Sequence, residues 1–400
     1  MPQLFCVRTA WRGREAYELG NGLIRLLTLT GGGHVAVFRF ERSSGMPDLN
    51  PLWVPPWRTI DSDRYRQALH AARYGPPLEG KLLSGLAGHN ICLDYFGSPS
   101  SEEVKQGLSQ HGEAPNSRWR KTNSRARSQR AELTLTVNLP IAELLLARTI
   151  SLRPKESVAY FEETIANRRK ADHIFHWTQH VTLGPPFLSF ADSRIAISAS
   201  AQGQTFPDAY DEGKSLLRAG QDFRWPFAPA VDGQSLDLTR PFLKRGRGFV
   251  VGVLLDPVRE LGFVTALNSS QRILIGYCFR RQDFPWVTVW EENRAIAAPP
   301  WKQRTQARGL EFGSNPHPVR RRDSFRLGSL FGMPTFSCVP ARSKVKACYL
   351  AFLAQVPEDF GHVRDVRTTS REIIVTGTGL RGDLRLKATG LAASGMSNSR

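Results

Sequence analysis

The segment from His173 to Phe187 concentrates side chains that could carry acid–base chemistry. It reads HIFHWTQHVTLGPPF, and its aromatic and β-branched residues predict a β-strand that is ended by a Gly-Pro-Pro turn. Successive side chains of a strand point to opposite faces, so His176, Thr178 and His180 are expected to share one face. Two imidazoles and a hydroxyl on one face could line a concave site, although each histidine could instead be a structural one that is hydrogen-bonded within the fold.

Glu311 is the strongest candidate for a general base. It lies in the segment RGLEFGSNP, which is punctuated by glycines and carries apolar residues on both sides of the carboxylate. Partial desolvation in such a segment would raise the pKa of the carboxyl group and make it a usable base near neutral pH. The alternative is a structural ion pair with Arg308. Glu291 and Glu292, next to Trp290 at a predicted strand end, are a rival pair of carboxylates.

Two other short segments hold groups that can bind polar ligands, Gly88-His89-Asn90 and His111-Gly112-Glu113. A metal site is not predicted, because residues four apart on a strand are separated by about 13 Å and cannot ligate one ion together. The helical His-Glu-x-x-His pattern is also missing. No nucleophile elbow, P-loop or dinucleotide fingerprint occurs, so neither a metal nor an organic cofactor is expected.

The charge of the chain is strongly basic and locally concentrated. In 400 residues there are 54 Lys and Arg against 36 Asp and Glu, a net charge of +18 that would attract polyanions non-specifically. Much of the excess lies in the polar stretches 118–130 and 320–322, which lack interleaved aromatic residues and match no nucleic-acid-binding module. A protein that docks on nucleic acid or anionic polysaccharide is therefore the lesser alternative, and no specific nucleic-acid partner is expected.

The cysteine pattern and the distribution of apolar residues indicate the cellular compartment of the protein. The five cysteines are an odd number without close pairs, which suits a reducing compartment better than a disulfide framework. The N-terminal segment lacks the apolar core of a secretory signal, and no apolar run approaches the roughly 20 residues of a membrane helix. The sequence predicts a cytoplasmic protein with no membrane association.

Strand-like segments recur along the chain at regular spacing, with little helical periodicity. Residues 19–30 and 34–41 predict a hairpin, and from residue 131 a series of alternating segments follows. Ser100 and Glu103 predict one short capped helical turn. The pattern predicts an all-β fold, a large antiparallel β-sandwich with few short helices. A single domain is expected over residues 1–388. Residues 389–400, which are small and polar, are expected to form a disordered tail.

The order of three short motifs resembles the aldose 1-epimerase (galactose mutarotase-like) superfamily over roughly residues 19–353. These motifs are His-Gly at His111, Gln-His before a Leu-Gly turn at His180, and Gly-Leu-Glu at Glu311. In that family a large antiparallel β-sandwich binds a sugar in an open cleft. The resemblance implies that Glu311 is the base, that His180 is the acid, and that His111 contacts the ring oxygen or a neighbouring hydroxyl.

The resemblance also implies a set of substrate-binding residues, and these match the family less closely. The family's Gly-Arg-x-x-Asn-Arg segment is present only as Gly80-Lys81 and then Gly88-His89-Asn90, so its sugar-binding arginine has no clear match. Phe312 and Gly313 follow the glutamate where Thr-Gln is usual. The expected substrate-binding residues are His89, Asn90, His176, Asp237 or its rival Asp283, and Trp290. The implied function is interconversion of the anomers of a small sugar without a cofactor. The alternatives are a non-catalytic sugar-binding protein on the same scaffold, or a branch that acts on a sugar acid or an oligosaccharide.

Overall fold

Antiparallel β-strands form most of this structure, a computed structural model that describes residues 4–42, 45, 48–208, 210–211, 213–379, 382–391 and 395–396. The first part of the chain contains, in order, β1 (Phe5–Trp11), β2 (Arg14–Gly20), β3 (Ile24–Leu29), β4 (Val35–Phe40), α1 (Gln67–Tyr74), α2 (Pro77–Gly85), β5 (His89–Cys92), α3 (Ser101–Lys105), β6 (Arg120–Arg127), β7 (Arg130–Leu139), β8 (Leu144–Leu152), β9 (Val158–Asn167), β10 (His173–Phe175) and β11 (Thr178–Leu183). The second part contains β12 (Ser193–Ile197), β13 (Ala199–Thr205), β14 (Asp222–Phe223), β15 (Phe227–Pro229), β16 (Ser235–Asp237), β17 (Arg247–Leu255), β18 (Leu261–Asn268), β19 (Ile273–Arg280), β20 (Trp286–Asn293), β21 (Gln306–Gly313), α4 (Arg321–Leu327), β22 (Ser329–Leu330), β23 (Met333–Pro334), β24 (Ser337–Val339), β25 (Lys344–Gln355), β26 (Val363–Thr368), β27 (Glu372–Gly377) and β28 (Asp383–Lys387).

Two large sheets form the sandwich. The eleven-stranded sheet has the order β1-β2-β3-β4-β5-β11-β21-β20-β17-β13-β14, and the eight-stranded sheet has the order β12-β18-β19-β25-β9-β8-β7-β6. A three-stranded sheet, β26-β27-β28, follows near the end of the chain. The expected antiparallel β-sandwich with few short helices is confirmed.

The alternation of side chains explains where the cores lie. Along β8, every second residue is buried, as expected for a strand with one face on the core. The main core lies between the two large sheets and includes Phe38, Leu133, Phe161 and Phe312. A second core lies between the eight-stranded sheet and β26–β28. Full burial of such a side chain stabilises the fold by about 1.5–3 kcal/mol.

The segment predicted as one strand from His173 is two strands in the structure. The break falls at His176 and Trp177, whose backbone N–H groups donate to Asp94 O (2.8 Å) and to Ser314 Oγ (2.9 Å) instead of to a neighbouring strand. The predicted hairpin corresponds to β3 and β4, and β1 and β2 precede it unpredicted. The capped turn is confirmed as α3, where Ser100 and Glu103 form a reciprocal capping box.

The end of the chain is partly anchored to the fold, unlike the free tail that its composition predicts. Thr389 donates to Glu156 from its backbone N–H (3.0 Å) and its hydroxyl (2.6 Å), while Leu391 and Met396 are buried in the second core. Residues 392–394 and 397–400 of the predicted tail lie outside the described residues. Across the described part of the chain, none of the helices is long and apolar enough to cross a membrane.

Candidate functional site

A row of side chains crosses five neighbouring strands of the eleven-stranded sheet. His180 on β11 lies opposite Asn90 on β5 and opposite Glu311 on β21. Glu311 in turn lies opposite Thr288 on β20, which lies opposite Gly252 on β17. Side chains at directly paired positions point to the same face, so these five residues, here called the site row, line the face that points away from the main core.

Glu311 is the most unusual member of the site row. It is only 1% exposed, and neither of its carboxylate oxygens has a hydrogen-bond partner among the described residues. Its Oε1 lies 3.2 Å from His180 Nε2, a contact that brings the two titratable groups together without hydrogen-bond geometry. Burial raises the pKa of Glu311 well above its ordinary value. Gly309 makes room for this carboxylate, because a Cβ at that position would lie 2.1 Å from Oε1.

The possible ion-pair partner of Glu311 and the two rival carboxylates all interact with other residues. Arg308 lies on the opposite face of β21, where its Nη2 donates to Glu291 at 2.6 Å. Glu292, the other rival carboxylate, accepts hydrogen bonds from the Tyr210 hydroxyl (2.8 Å) and from backbone N–H groups of the following turn. The structural pair of Glu311 with Arg308 is therefore not formed, and Glu291 and Glu292 have structural partners.

His180 is held between Glu311 and a hydroxyl of its own strand. Its Nδ1 lies 3.1 Å from Thr182 Oγ1, and if Nδ1 accepts that hydroxyl proton, the ring proton is on Nε2, which faces Glu311. Burial lowers the pKa of His180 to about 4. Because the carboxyl pKa is raised and the imidazole pKa is lowered, Glu311 and His180 together hold one titratable proton over a wide pH range. While the site is empty, that proton is on Glu311.

His111 reaches the same place from the loop between α3 and the 3₁₀ turn at Ala114–Asn116. The centre of its ring is 5.4 Å from that of His180, and the ring of Phe96 packs against both. Its Nδ1 accepts a hydrogen bond from Gly97 N at 3.1 Å, which leaves Nε2 for a ligand. His111 has a φ of 65°, a left-handed conformation that is uncommon for residues other than glycine.

Trp290 forms a side wall of the site. Its ring lies 5.9 Å from that of His180 and 6.0 Å from that of Trp301, in an aromatic cluster beside α2. The indole Nε1 donates to Tyr210 Oη at 3.1 Å, and Tyr210 donates to Glu292 at 2.8 Å, so the wall is fixed in orientation. Tyr210 was not predicted from the sequence, because a single tyrosine in a polar loop carries no pattern that would distinguish it.

Two other histidines of the predicted set lie near this region but have structural partners. Both ring nitrogens of His176 are used, Nδ1 by Phe96 N (3.1 Å) and Nε2 by Ser324 Oγ (2.9 Å). His89 points between the two sheets, where its Nε2 lies 3.0 Å from Gln179 Oε1. His176 thus holds the loop that carries Phe96 in place. His89 lies on the opposite side of the sheet from Glu311.

The two predicted aspartates do not join the site row. The Oδ1 atom of Asp237 accepts hydrogen bonds from the backbone N–H and hydroxyl of Thr239 (2.9 and 2.7 Å). The chain just after Asp237 contacts Arg308, on the core side of β21, through Leu238 O at 3.2 Å. Asp283 forms an ion pair of 2.8 Å with Arg280 in the turn after β19. The sheet therefore lies between Asp237 and Glu311.

His317 closes the far end of the site row, and sequence reasoning missed it. A Cβ added to Gly252 would lie 3.1 Å from His317 Cε1, so the imidazole lies over that glycine. Both ring nitrogens of His317 lack partners among the described residues, as do Asn90 Nδ2 and both oxygens of Glu311. Each such buried group costs about 1–3 kcal/mol, so five of them along one row suit a ligand rich in hydroxyls. Among the described residues, no group of three or more His, Cys, Asp or Glu is arranged to hold a metal ion.

Comparison by sequence finds no matching family model and no matching curated protein. Comparison by structure finds a protein from Klebsiella pneumoniae whose name assigns it provisionally to the aldose 1-epimerases, 12% identical, over 88% of this chain and 82% of that one, with a TM-score of 0.60. A galactose mutarotase-like protein from Clostridium acetobutylicum is also 12% identical, over 88% of this chain and 99% of that one, with a TM-score of 0.57.

A further neighbour is provisionally named a mutarotase and comes from Salmonella typhimurium. It is 11% identical and matches over 89% of this chain and 96% of its own length, with a TM-score of 0.55. At these identities the likeness concerns the path of the backbone, and it confirms the fold that the resemblance implied. The chain has the β-sandwich fold of the aldose 1-epimerase and galactose mutarotase-like proteins.

Proposed function

We propose that this protein interconverts the anomers of an aldose by acid–base opening of the sugar ring, with Glu311 as base and His180 as acid. The observation that carries the proposal is the contact of 3.2 Å, within the site row, between an imidazole and a buried carboxylate that accepts no hydrogen bond from the described residues. Fold likeness to aldose 1-epimerase-like proteins supports the choice of a sugar as the ligand.

The reaction needs one proton to be taken from the anomeric hydroxyl and one to be given to the ring oxygen. The ionised Glu311 takes the first, His180 Nε2 gives the second, and the bond between C1 and the ring oxygen breaks as the aldehyde forms. Rotation of the aldehyde about the C1–C2 bond, followed by the same transfers in reverse, gives the other anomer. Opening thus converts a charged pair into a neutral one, which burial favours at this position.

The charged form of the pair must be reached before the ring can open. In the empty site the shared proton is on Glu311, because burial raises its pKa and lowers that of His180 to about 4. A bound sugar supplies hydroxyl donors to the two carboxylate oxygens, which accept no hydrogen bond within the described part of the chain, and so lowers the free energy of the ionised form. The substrate therefore helps to create the base that reacts with it.

The remaining residues of the site would bind and orient the ring. His111 is placed beside His180 to hydrogen-bond the ring oxygen or a neighbouring hydroxyl, and the unpartnered amide of Asn90 can donate to another. Trp290 presents an aromatic wall against which an apolar sugar face can stack. The proposed chemistry uses these side chains alone and requires no cofactor.

The proposal treats residues 1–388 as one sugar-binding domain that acts in the cytoplasm. All five cysteines are unpaired in the structure, which is compatible with a reducing compartment.

The direct test is polarimetry or NMR exchange with freshly dissolved α-glucose and α-galactose. We expect the protein to accelerate mutarotation of at least one aldose above the spontaneous rate, and the Glu311→Gln variant not to do so. Unchanged rates across a panel of aldoses, with sugar binding detected by calorimetry, would instead identify a non-catalytic sugar-binding protein. Absence of both activity and binding would refute the proposal.

A further inference from the structure

A second cleft, here called the edge cleft, lies on the far side of the sheet from Glu311 and has a volume of about 290 Å³. It forms where three parts of the fold meet: the edge strand β12, the segment from β14 to Thr239, and the start of β26. Such junctions are common places for small-ligand sites, and the volume is close to the ~300 Å³ lower limit for them. The space suits a ligand of about one sugar unit.

The side chains of the edge cleft provide three kinds of contact. Trp225, which packs against the main core, supplies an apolar wall. Asp237 supplies a carboxylate whose Oδ1 is held by Thr239, so Oδ2 remains to accept a hydrogen bond from a ligand. Arg194 and Arg364 supply guanidinium groups from two different strands.

Neighbours within the protein hold Arg194 and His362 in place. Arg194 is half-buried, and its Nη1 donates to Ser193 O at 2.8 Å. His362 lines the rim, where its Nδ1 lies 3.1 Å from Thr378 Oγ1 and its other ring nitrogen is left for a ligand. A prepared set of donors of this kind loses little conformational entropy when it binds a ligand.

The charge balance of the edge cleft favours an anion. Arg194 and Arg364 face one carboxylate, that of Asp237, so the lining has a surplus of positive charge at neutral pH. Arg240 adds to it, since burial and then the charge of Arg240 lower the pKa of Arg194 while Asp237 raises it. A ligand carrying one negative charge would balance this surplus.

We propose that the edge cleft is a second binding site, for a sugar that carries a carboxylate group, such as a hexuronate. The sugar acid would form charge-assisted hydrogen bonds with Arg194 and Arg364, its hydroxyls would donate to Asp237, and its apolar ring face would lie on Trp225. A phosphate ion fits less well, because it offers Trp225 no apolar face and carries more charge toward Asp237. This proposal is independent of catalysis in the site row.

The test is calorimetric titration of the full chain with D-glucuronate, and with D-glucose and inorganic phosphate as comparison probes. Arg364 is exposed, so Arg364→Ala should fold normally, and we expect it to weaken glucuronate binding at least tenfold. Asp237→Asn should also weaken it severalfold. The matched control is Arg127→Ala, which should leave the affinity unchanged. Arg127 is also exposed and lies on β6, at the edge of the eight-stranded sheet opposite to β12.

Other outcomes would overturn the proposal. They are the absence of glucuronate binding at millimolar concentration, equal weakening by Arg127→Ala, or binding of inorganic phosphate at least as tight as that of glucuronate. Loss of glucuronate binding in Glu311→Gln would also overturn it, by assigning the binding to the site row. If binding persists in Glu311→Gln while mutarotation is absent from the wild type, the edge cleft stands and the proposed isomerase does not.

Discussion

His180 and Glu311 occupy directly opposed positions on the antiparallel strands β11 and β21, and their Nε2 and Oε1 atoms are 3.2 Å apart. The carboxylate accepts no hydrogen bond from any described residue. Burial moves the two pKa values in opposite directions, up for Glu311 and down for His180. Such pairs of titratable groups are typical of acid–base sites.

A second buried glutamate in the same sandwich shows how different a structural carboxylate is. Glu163 also has no exposed surface, but it forms an ion pair of 2.6 Å with Arg148. Its two oxygens accept hydrogen bonds from four donors, which are Arg148 Nε, Tyr349 Oη, Trp177 Nε1 and Gln179 Nε2. Both oxygens of Glu163 therefore accept hydrogen bonds, whereas those of Glu311 accept none from the described residues.

The first prediction is that Glu311→Gln removes activity without weakening the fold. Turnover should fall by about 10²–10⁴-fold, since the base is lost. The free energy of unfolding should stay the same or rise by about 1 kcal/mol, because Glu311 is ionised in the unfolded chain at neutral pH and must take up a proton to be buried, whereas Gln need not. NMR exchange measures the turnover, and chemical denaturation measures the stability.

The matched control is Glu163→Gln, the same substitution at the satisfied carboxylate. It leaves the buried guanidinium of Arg148 without its counter-ion and should lower the free energy of unfolding by about 3–5 kcal/mol. Equal losses of stability in the two variants, together with full turnover in Glu311→Gln, would show that Glu311 is a structural residue.

The second prediction concerns the pH dependence of kcat/KM. The active pair holds one proton, so activity should fall as the pH drops through the pKa of His180, about 4, where the pair takes up a second proton. It should fall again as the pH rises through the raised pKa of Glu311, where the pair loses its only proton. The measurement is the enzymatic rate after subtraction of spontaneous mutarotation at each pH. A rate that rises steadily with pH would contradict a shared proton.

The third prediction is that Gly309→Ala impairs the site while preserving the fold. The added Cβ would lie 2.1 Å from Glu311 Oε1, so the carboxylate must move away from His180. Because the displaced atom is at the end of a flexible side chain, we expect a fall in kcat of about tenfold or more with a small change in thermal stability. Unchanged kcat would mean that the observed position of the carboxylate does not matter for turnover.

The main elements of the fold follow from the sequence because they depend on local periodicity. The alternation of Leu133 to Leu139 and of Leu144 to Leu152 defines strands whichever partners they find, and the fold class follows from many such strands. The order of the strands does not follow, since β5, β11 and β21 come from distant parts of the chain and are joined by pairing that no local pattern records.

The same reasoning explains which site residues were predictable. Glu311 and His180 could be singled out as candidates because a polar residue among glycines and aromatic residues is unusual in a strand. His317 and Tyr210 were missed because their positions depend on loops that fold back over the sheet, and the sequence around them shows no period. His89 was expected near the sugar, but it alternates with Asn90 and therefore points to the other face.

The last prediction concerns the acid stability of the fold and His317. Burial lowers the pKa of His34, His176 and His317 to about 3 each, whereas the ordinary value is 6.5. Below pH 6.5 the unfolded chain therefore binds more protons than the folded one, and stability is lost as the pH falls from 6.5 toward 3. Each of these histidines contributes a slope of up to about 1.4 kcal/mol per pH unit.

The variant His317→Phe keeps the ring contact with Phe206 and removes two nitrogens that lack partners among the described residues. It should therefore be at least as stable as the wild type at neutral pH and lose stability less steeply in acid. Urea denaturation at a series of pH values tests this, and parallel stability curves for variant and wild type would show that His317 is not held neutral in the fold.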